Sequence, residues 1–366
     1  MTLLHRSAVL LMMAIAGCRE TSPPPFDDDH IQLPPGFRIE AFAEVPGART
    51  IVVAEEGAVI YVGTRDDQIY ALLDPGLDRE VDEVTVLADE LEVPNGLALT
   101  DDGDLIVAER HQIQRLSKDG KREVLLPPGA LPIDKFHGWR YAALGPDGWL
   151  YVAVGAPCNI CTVEGLAGTI IRMKLDDPLP EIYASGVRNS VGFDWHPATD
   201  EMFFTDNGAD DMGDLIPPDE LNRAETAGLH FGFPYRYAEG ESYGDVDETA
   251  MPDDIQHPAQ NFEAHAAALG IHFYEGGMFP EDIRHDAFVA QHGSWNRTDP
   301  IGYRIMRVRF DDSGMPVAKE VFIDGWLGDD GEVRGRPVDL AELPDGSLLI
   351  SDDYAGMLYR VTYDGD

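Results

Sequence analysis

His137-Gly-Trp-Arg-Tyr-Ala-Ala-Leu-Gly-Pro-Asp147-Gly148-Trp-Leu-Tyr-Val152 joins a polar opening residue, a short apolar stretch, an Asp-Gly turn and a second apolar strand. The same parts return in the same order in Asn95-Gly-Leu-Ala-Leu-Thr-Asp-Asp102-Gly103-Asp-Leu-Ile-Val107 and in Arg336-Pro-Val-Asp-Leu-Ala-Glu-Leu-Pro-Asp345-Gly346-Ser-Leu-Leu-Ile350. Degenerate copies start at Arg49, with a turn at Glu56-Gly57, and at Arg188, with a turn at Thr199-Asp200; a further copy spans His272 to Val308. Short strands and tight turns repeated at this period are the signature of a β-propeller, and six copies give six blades. The expected fold is therefore all-β, a six-bladed β-propeller. The opening residues Arg49, Asn95, His137, Arg188, His272 and Arg336 are expected to converge at one end of its central channel.

The alternating stretch Phe37-Arg-Ile-Glu-Ala-Phe-Ala-Glu-Val45 reads as a strand. The last copy ends after Met357-Leu-Tyr-Arg-Val-Thr-Tyr363, so the N-terminal strand is expected to complete that blade and close the ring, removing an exposed edge. Asp206 to Phe262 breaks the rhythm; its aromatic residues predict an ordered cover over the channel mouth.

A closed repeat array buries its faces blade against blade, so 366 residues with 44% apolar content suit one such domain. The formal charge of −40 excludes partners that need a basic face, namely nucleic acid and anionic membrane surfaces. The acids are spread along the chain, as on a solvated acidic surface.

The first residues differ in kind. Arg6, the apolar run Ala8 to Ile15 and Ala16-Gly17-Cys18 read as a secretory signal over 1–18. Ile-Ala-Gly-Cys also resembles a bacterial lipobox, which makes Cys18 a lipidation site, although an ordinary cleaved signal reads the same way. Residues 19–34, with Pro23-Pro-Pro25 and Asp27-Asp-Asp29, read as a flexible tether, and the propeller domain as 35–366. The expected location is outside the cytoplasm, on the periplasmic side of a bacterial outer membrane or at the cell surface. Any membrane association would run through the lipid.

Cys158 and Cys161 stand in Pro157-Cys-Asn-Ile-Cys161. For an exported chain a local disulfide is the leading reading. A haem site would need His where Thr162 stands, a zinc site would need further ligands nearby, and a thioredoxin-like motif would need a helix start.

Three openings carry candidate chemistry. His137 has the side chain whose unperturbed pKa suits proton abstraction from a hydroxyl, or it ties one loop to the next. Arg188 with Asn189 can stabilise an anionic cofactor or a developing negative charge, or can brace a loop. Arg334 and Arg336 are expected on one side of the chain, facing an anionic ligand, or paired with Asp329, Asp330 and Glu332. Asp206-Asn-Gly208-Ala209-Asp-Asp-Met-Gly-Asp214 is dense in oxygen ligands of the kind Ca²⁺ takes.

In this order the segments resemble the soluble pyrroloquinoline-quinone (PQQ) dependent sugar dehydrogenases of the glucose/sorbosone dehydrogenase-like family. The resemblance rests on Arg188-Asn189, Asp219-Glu-Leu-Asn222, Phe231-Gly-Phe-Pro234 and His137-Gly-Trp-Arg, and runs from about Pro35 to the C-terminus. Phe288-Val-Ala-Gln-His-Gly-Ser-Trp-Asn-Arg297 is similar to the sorbosone dehydrogenase-like branch. It implies PQQ and Ca²⁺ in the channel, with His137 as base, Arg188 and Asn189 at the reactive carbonyl and Arg334 and Arg336 on the carboxylates. Gly208 and Ala209 would offer carbonyls to Ca²⁺. Where glucose dehydrogenases of the family place a Lys, this chain has Gln291-His-Gly-Ser294, and Arg297 is expected to substitute. The implied partners are a sugar and a separate electron acceptor, a quinone or a cytochrome. Two other readings stay open: a Ca²⁺-dependent lactonase-type propeller, and a non-catalytic lipoprotein platform.

Overall fold

The computed structural model describes residues 30–54, 57–74, 76–134, 136–244 and 246–365. The expected signal, Cys18 and residues 19–29 of the tether lie outside the described residues.

The repeat folds as six four-stranded antiparallel blades. Blade 1 comprises Ala48–Ala54, Val59–Thr64, Ile69–Leu73 and Glu83–Ala88; blade 2 comprises Gly96–Leu99, Leu105–Ala108, Ile113–Leu116 and Arg122–Leu126. Blade 3 runs through Ala142–Leu144, Leu150–Val154, Thr169–Met173 and Glu181–Ser185; blade 4 through Phe193–Trp195, Met202–Asp206, Pro218–Ala224 and Gln260–Ala264. Blade 5 is Ala268–Phe273, Ala287–Gln291, Arg304–Phe310 and Pro316–Ile323. Blade 6 takes Pro337–Glu342, Leu348–Asp352 and Met357–Tyr363 from the C-terminal end and Phe37–Glu44 from the N-terminal end. That last pairing runs from Phe37 opposite Tyr363 to Glu44 opposite Met357, so the ring closes as the sequence predicts.

The core is divided rather than central. Each pair of neighbouring blades encloses one apolar cluster, for instance Ile106, Val152 and Ile171 between blades 2 and 3, and Phe203, Phe273 and Val308 between blades 4 and 5. A seventh, small cluster lies on the axis: Val191, Leu269 and Val338, with Trp139 packed against them. The first strand of each blade is innermost, and these strands crowd one another. A Cβ on Gly96 would stand 1.7 Å from the Arg140 carbonyl oxygen, so only glycine permits that approach.

Two expectations need correction. The last residues of the expected tether are docked: Gln32 and Asp324 exchange backbone hydrogen bonds of 2.8 and 3.1 Å, and Ile31 and Leu33 pack on the cluster between blades 5 and 6. Residues 206–262 are ordered, yet they are not simply a cover. They hold the third strand of blade 4 and the start of its fourth, and Leu229–His230 adds to the outer edge of blade 3 by pairing with Ala184 and Ser185. The aromatic residues Phe231, Phe233, Tyr235 and Tyr237 are buried in that insertion. Its first part, from Asn207 to Asp219, does border the channel mouth.

Candidate active site

One end of the channel opens into a cavity of about 380 Å³, within the usual size of small-molecule sites. Its floor is the axial apolar cluster, with Trp139, Val191 and Leu269 exposed to the cavity. The loops entering each innermost strand form the wall. Of the predicted opening residues, Arg49, His137, Arg188 and Arg336 meet here. The wall carries four arginines (Arg49, Arg65, Arg188, Arg336) against three aspartates (Asp210, Asp219, Asp353), in a chain whose acids otherwise outnumber its bases 67 to 27.

His137 sits in the left-handed region at φ 51° and its Nδ1 lies 2.8 Å from the Ala156 carbonyl oxygen. A carbonyl only accepts, so Nδ1 carries the proton and Nε2 presents a lone pair. Burial, the Arg188 charge and, less strongly, Arg140 push its pKa down to about 3, against the weaker raising effect of the Ala156 contact. The imidazole is thus neutral near pH 7. Gly155 makes room for it: a Cβ there would lie 2.5 Å from the His137 Cβ and 2.8 Å from its carbonyl oxygen.

Arg188 is buried and its guanidinium is held on three sides. Nε donates to the Asn159 carbonyl (2.9 Å), Nη2 to Asn159 Oδ1 (2.8 Å) and Asp210 Oδ2 (3.2 Å), and Nη1 to the Asn207 carbonyl (3.0 Å). The backbone N–H groups of Arg188 and Asn189 both donate to Asp206, at 2.8 and 2.6 Å. Asn189 lines the cavity, and its Oδ1 is buried without a hydrogen-bond partner among the described residues. The loop that holds Arg188 is closed by the Cys158–Cys161 disulfide, as expected, with Cα atoms 6.1 Å apart.

On the opposite wall Asp353, only 2% exposed, is the hub. Its carboxylate accepts from Arg49 Nη1 (2.7 Å) and His292 Nε2 (2.8 Å), with Arg65 at 3.9 Å. These partners hold its pKa below the ordinary value of 3.8 despite burial. Arg49 also donates to Asn95 Oδ1 and lies 4.1 Å over the Trp139 ring. Arg336 differs from the others. Its Nε and Nη2 donate to the carbonyls of His292 (3.2 Å) and Gly293 (2.8 Å), and no carboxylate neutralises it among the described residues.

Gly208 reaches the wall, and its N–H donates to Asp219 Oδ1 at 2.9 Å. Ala209 is fully buried behind it and does not line the cavity. Asp206, Asp219 and Glu220 form a buried acid layer beneath this loop, pushed up to about 7, 6 and 8. Burial is the main cause, with Asp219 adding to the rise at Asp206 and both aspartates to that at Glu220, against backbone hydrogen bonds that lower all three. Among the described residues no group of three or more His, Cys, Asp or Glu side chains is arranged to hold a metal ion.

Several expected site residues lie elsewhere. Arg334 turns outward to Asp330 (2.9 Å) and Glu332 (3.7 Å), the pairing the sequence left open. Strand alternation places Arg334 and Arg336 together only in extended chain, and the strand begins at Pro337. Arg297 braces backbone, donating to the carbonyls of Asp214 (2.7 Å) and Ala264 (3.1 Å), away from the cavity wall. His272 faces the other end of the channel, 3.4 Å from Asp194 and 3.7 Å from Glu342. The blade 5 strand begins at Ala268, so the residue entering it at the cavity end is His265, seven positions before the His272 of the repeat reading. Asn95 stands one layer down, beneath Arg49. His292 and Asp353 are the functional residues the sequence reading missed. Both follow a second strand of a blade, so the signal was present: a polar residue just after the strand partner of an opening strand.

Comparison with known proteins agrees with this architecture. Residues 225–364 match the TrAA12-like family model. An uncharacterized protein of Borreliella burgdorferi is 32% identical over 355 residues, covering 91% of each chain. The holo form of the pyranose dehydrogenase PQQ domain of Coprinopsis cinerea superposes with a TM-score of 0.78 at 18% identity, over 94% of this chain and 99% of that one. The Trichoderma reesei enzyme of carbohydrate-active family AA12 gives 0.77 at 20% identity, over 92% and 98%. At that identity the two structures speak for the fold. With six blades, the matched model and this relative aligned over nine-tenths of both chains, the chain belongs to a TrAA12-like family of six-bladed propellers.

Proposed function

We propose that the protein is a quinoprotein dehydrogenase that oxidises a hydroxyl or aldehyde of an aldose or sorbosone-like sugar, using PQQ with Ca²⁺ in the channel-mouth cavity. The observation that carries the reading is one pairing: a neutral His137 with a bare Nε2 shares a cavity with Arg336, whose charge no carboxylate among the described residues neutralises. A flat tricarboxylate fits such a site. Arg336 and the half-exposed Arg65 supply cationic donors, Asn189 supplies an amide whose Oδ1 has no protein partner, and Trp139, Val191 and Leu269 supply an apolar floor. The Gly208 carbonyl, which accepts no hydrogen bond among the described residues, would face Ca²⁺.

PQQ, when bound, supplies the two-electron acceptor, and Ca²⁺ the Lewis acid beside it. The chain does the rest. His137 Nε2 accepts the proton of a substrate hydroxyl, or of a hydroxyl on the hydrate of an aldehyde, while hydride leaves the carbon that bears that hydroxyl, and Ala156 keeps the ring in the tautomer that can do so. In the free protein Arg188 and burial keep this base weak; an anion in the cavity offsets the Arg188 charge and brings the imidazole closer to a working pKa. The reading extends to an exported lipoprotein that passes electrons to a separate quinone or cytochrome. The test is to add PQQ and Ca²⁺ to the protein, follow PQQ binding by fluorescence quenching, and assay dye reduction with a panel of aldoses and sorbosone. Saturable binding with sugar-dependent reduction supports the proposal; absence of both refutes it.

A further inference from the structure

One loop touches both halves of the candidate site. From the end of a blade 3 strand at Val154 the chain passes Gly155, whose missing side chain leaves room for His137. Next comes Ala156, whose carbonyl takes His137 Nδ1 and whose N–H donates to the Arg188 carbonyl at 2.8 Å. Three residues later Asn159 grips Arg188 along one edge, with its main-chain oxygen on Nε and its side-chain oxygen on Nη2. The same Oδ1 accepts the Asp210 N–H (2.8 Å), and Nδ2 returns a bond to the Asp210 carbonyl (2.9 Å). Asp210 in turn takes Arg188 Nη2 and Asn296 Nδ2 at 3.2 Å each. Asn159 itself does not line the cavity. It lies in a segment outside the strands, and the Cys158–Cys161 bridge closes a ring around it and Ile160.

We propose that Asn159, held by the Cys158–Cys161 ring, is the positioning residue that sets the Arg188 guanidinium against His137, so that opening the disulfide detunes the site. The ligand half of this inference rests on the PQQ reading above, and the geometric half does not. A side chain of Arg188's length has several rotatable bonds, and holding it in one arrangement requires partners that are themselves fixed. An unbridged tetrapeptide with no ladder hydrogen bonds is a poor anchor; a bridged one restricts the ensemble in which Asn159 can point elsewhere. The groups that face His137 are the Arg188 and Arg140 cations and the Ala156 carbonyl. Arg140 is held apart from this loop, by the carbonyls of Arg110, His137 and Pro132, so displacement of Arg188 is reported separately.

The experiment uses the full chain and three samples compared with wild type: Asn159→Ala, Cys158→Ala with Cys161→Ala, and wild type reduced with a phosphine. Calorimetric melting first confirms that each is folded. The primary readout needs no ligand: the protonation midpoint of His137, followed by the NMR signal of its ring carbon-bound proton between pH 4 and 8. Wild type should stay neutral over this range, and each altered sample should bring the midpoint up, because the nearby cation is no longer fixed. The second readout is PQQ itself, titrated by fluorescence quenching; loss of charge-assisted hydrogen bonds that fix Arg188 should weaken it about tenfold. A folded Asn159→Ala whose His137 midpoint matches wild type overturns the proposal, whatever its melting temperature. A raised midpoint with no PQQ binding in any sample, wild type included, upholds the positioning role and removes the quinoprotein reading instead.

Discussion

Replacing Asp353 with Asn should be among the most damaging single changes in the cavity wall, and the reason lies in what it leaves behind. The Asp353 carboxylate is 2% exposed and takes Arg49 Nη1 at 2.7 Å and His292 Nε2 at 2.8 Å. Arg49 is equally buried, so Asp353→Asn keeps the volume but leaves a guanidinium in the interior without its counter-charge. Its amide also turns a donor toward one of two donors. Breaking a buried pair from one side costs about 3–5 kcal/mol, because the remaining charge stays desolvated. Urea unfolding at pH 7 reads this directly. Adding Arg49→Met to Asp353→Asn should recover part of the loss, a coupling of about 2 kcal/mol, because no unpaired charge remains. The pH dependence gives an independent check. The native carboxyl titrates below its ordinary value of 3.8, so its contribution is present above that value and is lost as pH falls through the lower native one. Wild type should therefore lose more stability below pH 4 than Asp353→Asn does. A destabilisation under about 1 kcal/mol, with no recovery in the double variant, would refute the claim that this ion pair is the hub of the wall.

Three other outcomes follow from the same geometry. Gly155→Ala places a Cβ 2.5 Å from that of His137, and should cost about 1–3 kcal/mol in a melt while lowering turnover about 100-fold through a displaced base. Arg336→Ala should weaken PQQ and flatten the salt dependence of its binding, whereas Arg334→Ala, bonded to Asp330 on the exterior, should leave both unchanged; equal effects in fluorescence titrations would contradict the assignment. His272, lowered by burial but raised on balance to about 10 by Asp194 and Glu342, adds stability that is complete below its ordinary 6.5 and is lost as pH rises toward 10. His272→Gln should therefore flatten the fall in urea midpoint between pH 8.5 and 10.

The parts of this molecule that were legible in the sequence are those set by local pattern. Blade count and ring closure follow from the spacing of Asp-Gly turns and from the alternation of Phe37 to Val45, both encoded within a few residues. His137 and Arg336 are legible because an Asp-Gly turn fixes where their strands run, and Arg188 because a Thr199-Asp200 turn holds the same interval in a degenerate copy. His272 was misplaced because the copy in blade 5 lacks an Asp-Gly turn, and period-2 alternation alone does not say where a strand begins. Arg297 and Arg334 were misjudged for a different reason. A cation's partner is a matter of tertiary geometry, and in so acidic a chain carbonyls and carboxylates compete for every arginine. The Asp353 hub escaped because it joins residues 304 apart in sequence.

The shared sheet of blade 6 has a consequence for how the ring assembles. Phe37–Glu44 finds its partner, Met357–Tyr363, only across more than three hundred intervening residues. Every other blade takes its four main strands from one continuous run of the chain, blade 4 with an insertion before its last strand, whereas this clasp has to join the two ends. Closing so long a loop carries an entropic cost that the local pairings of the other blades do not, and once formed the pairing ties the two ends of the chain into one sheet. The durability of the assembled protein then resides in the rate at which that clasp releases, more than in the depth of any one apolar wedge.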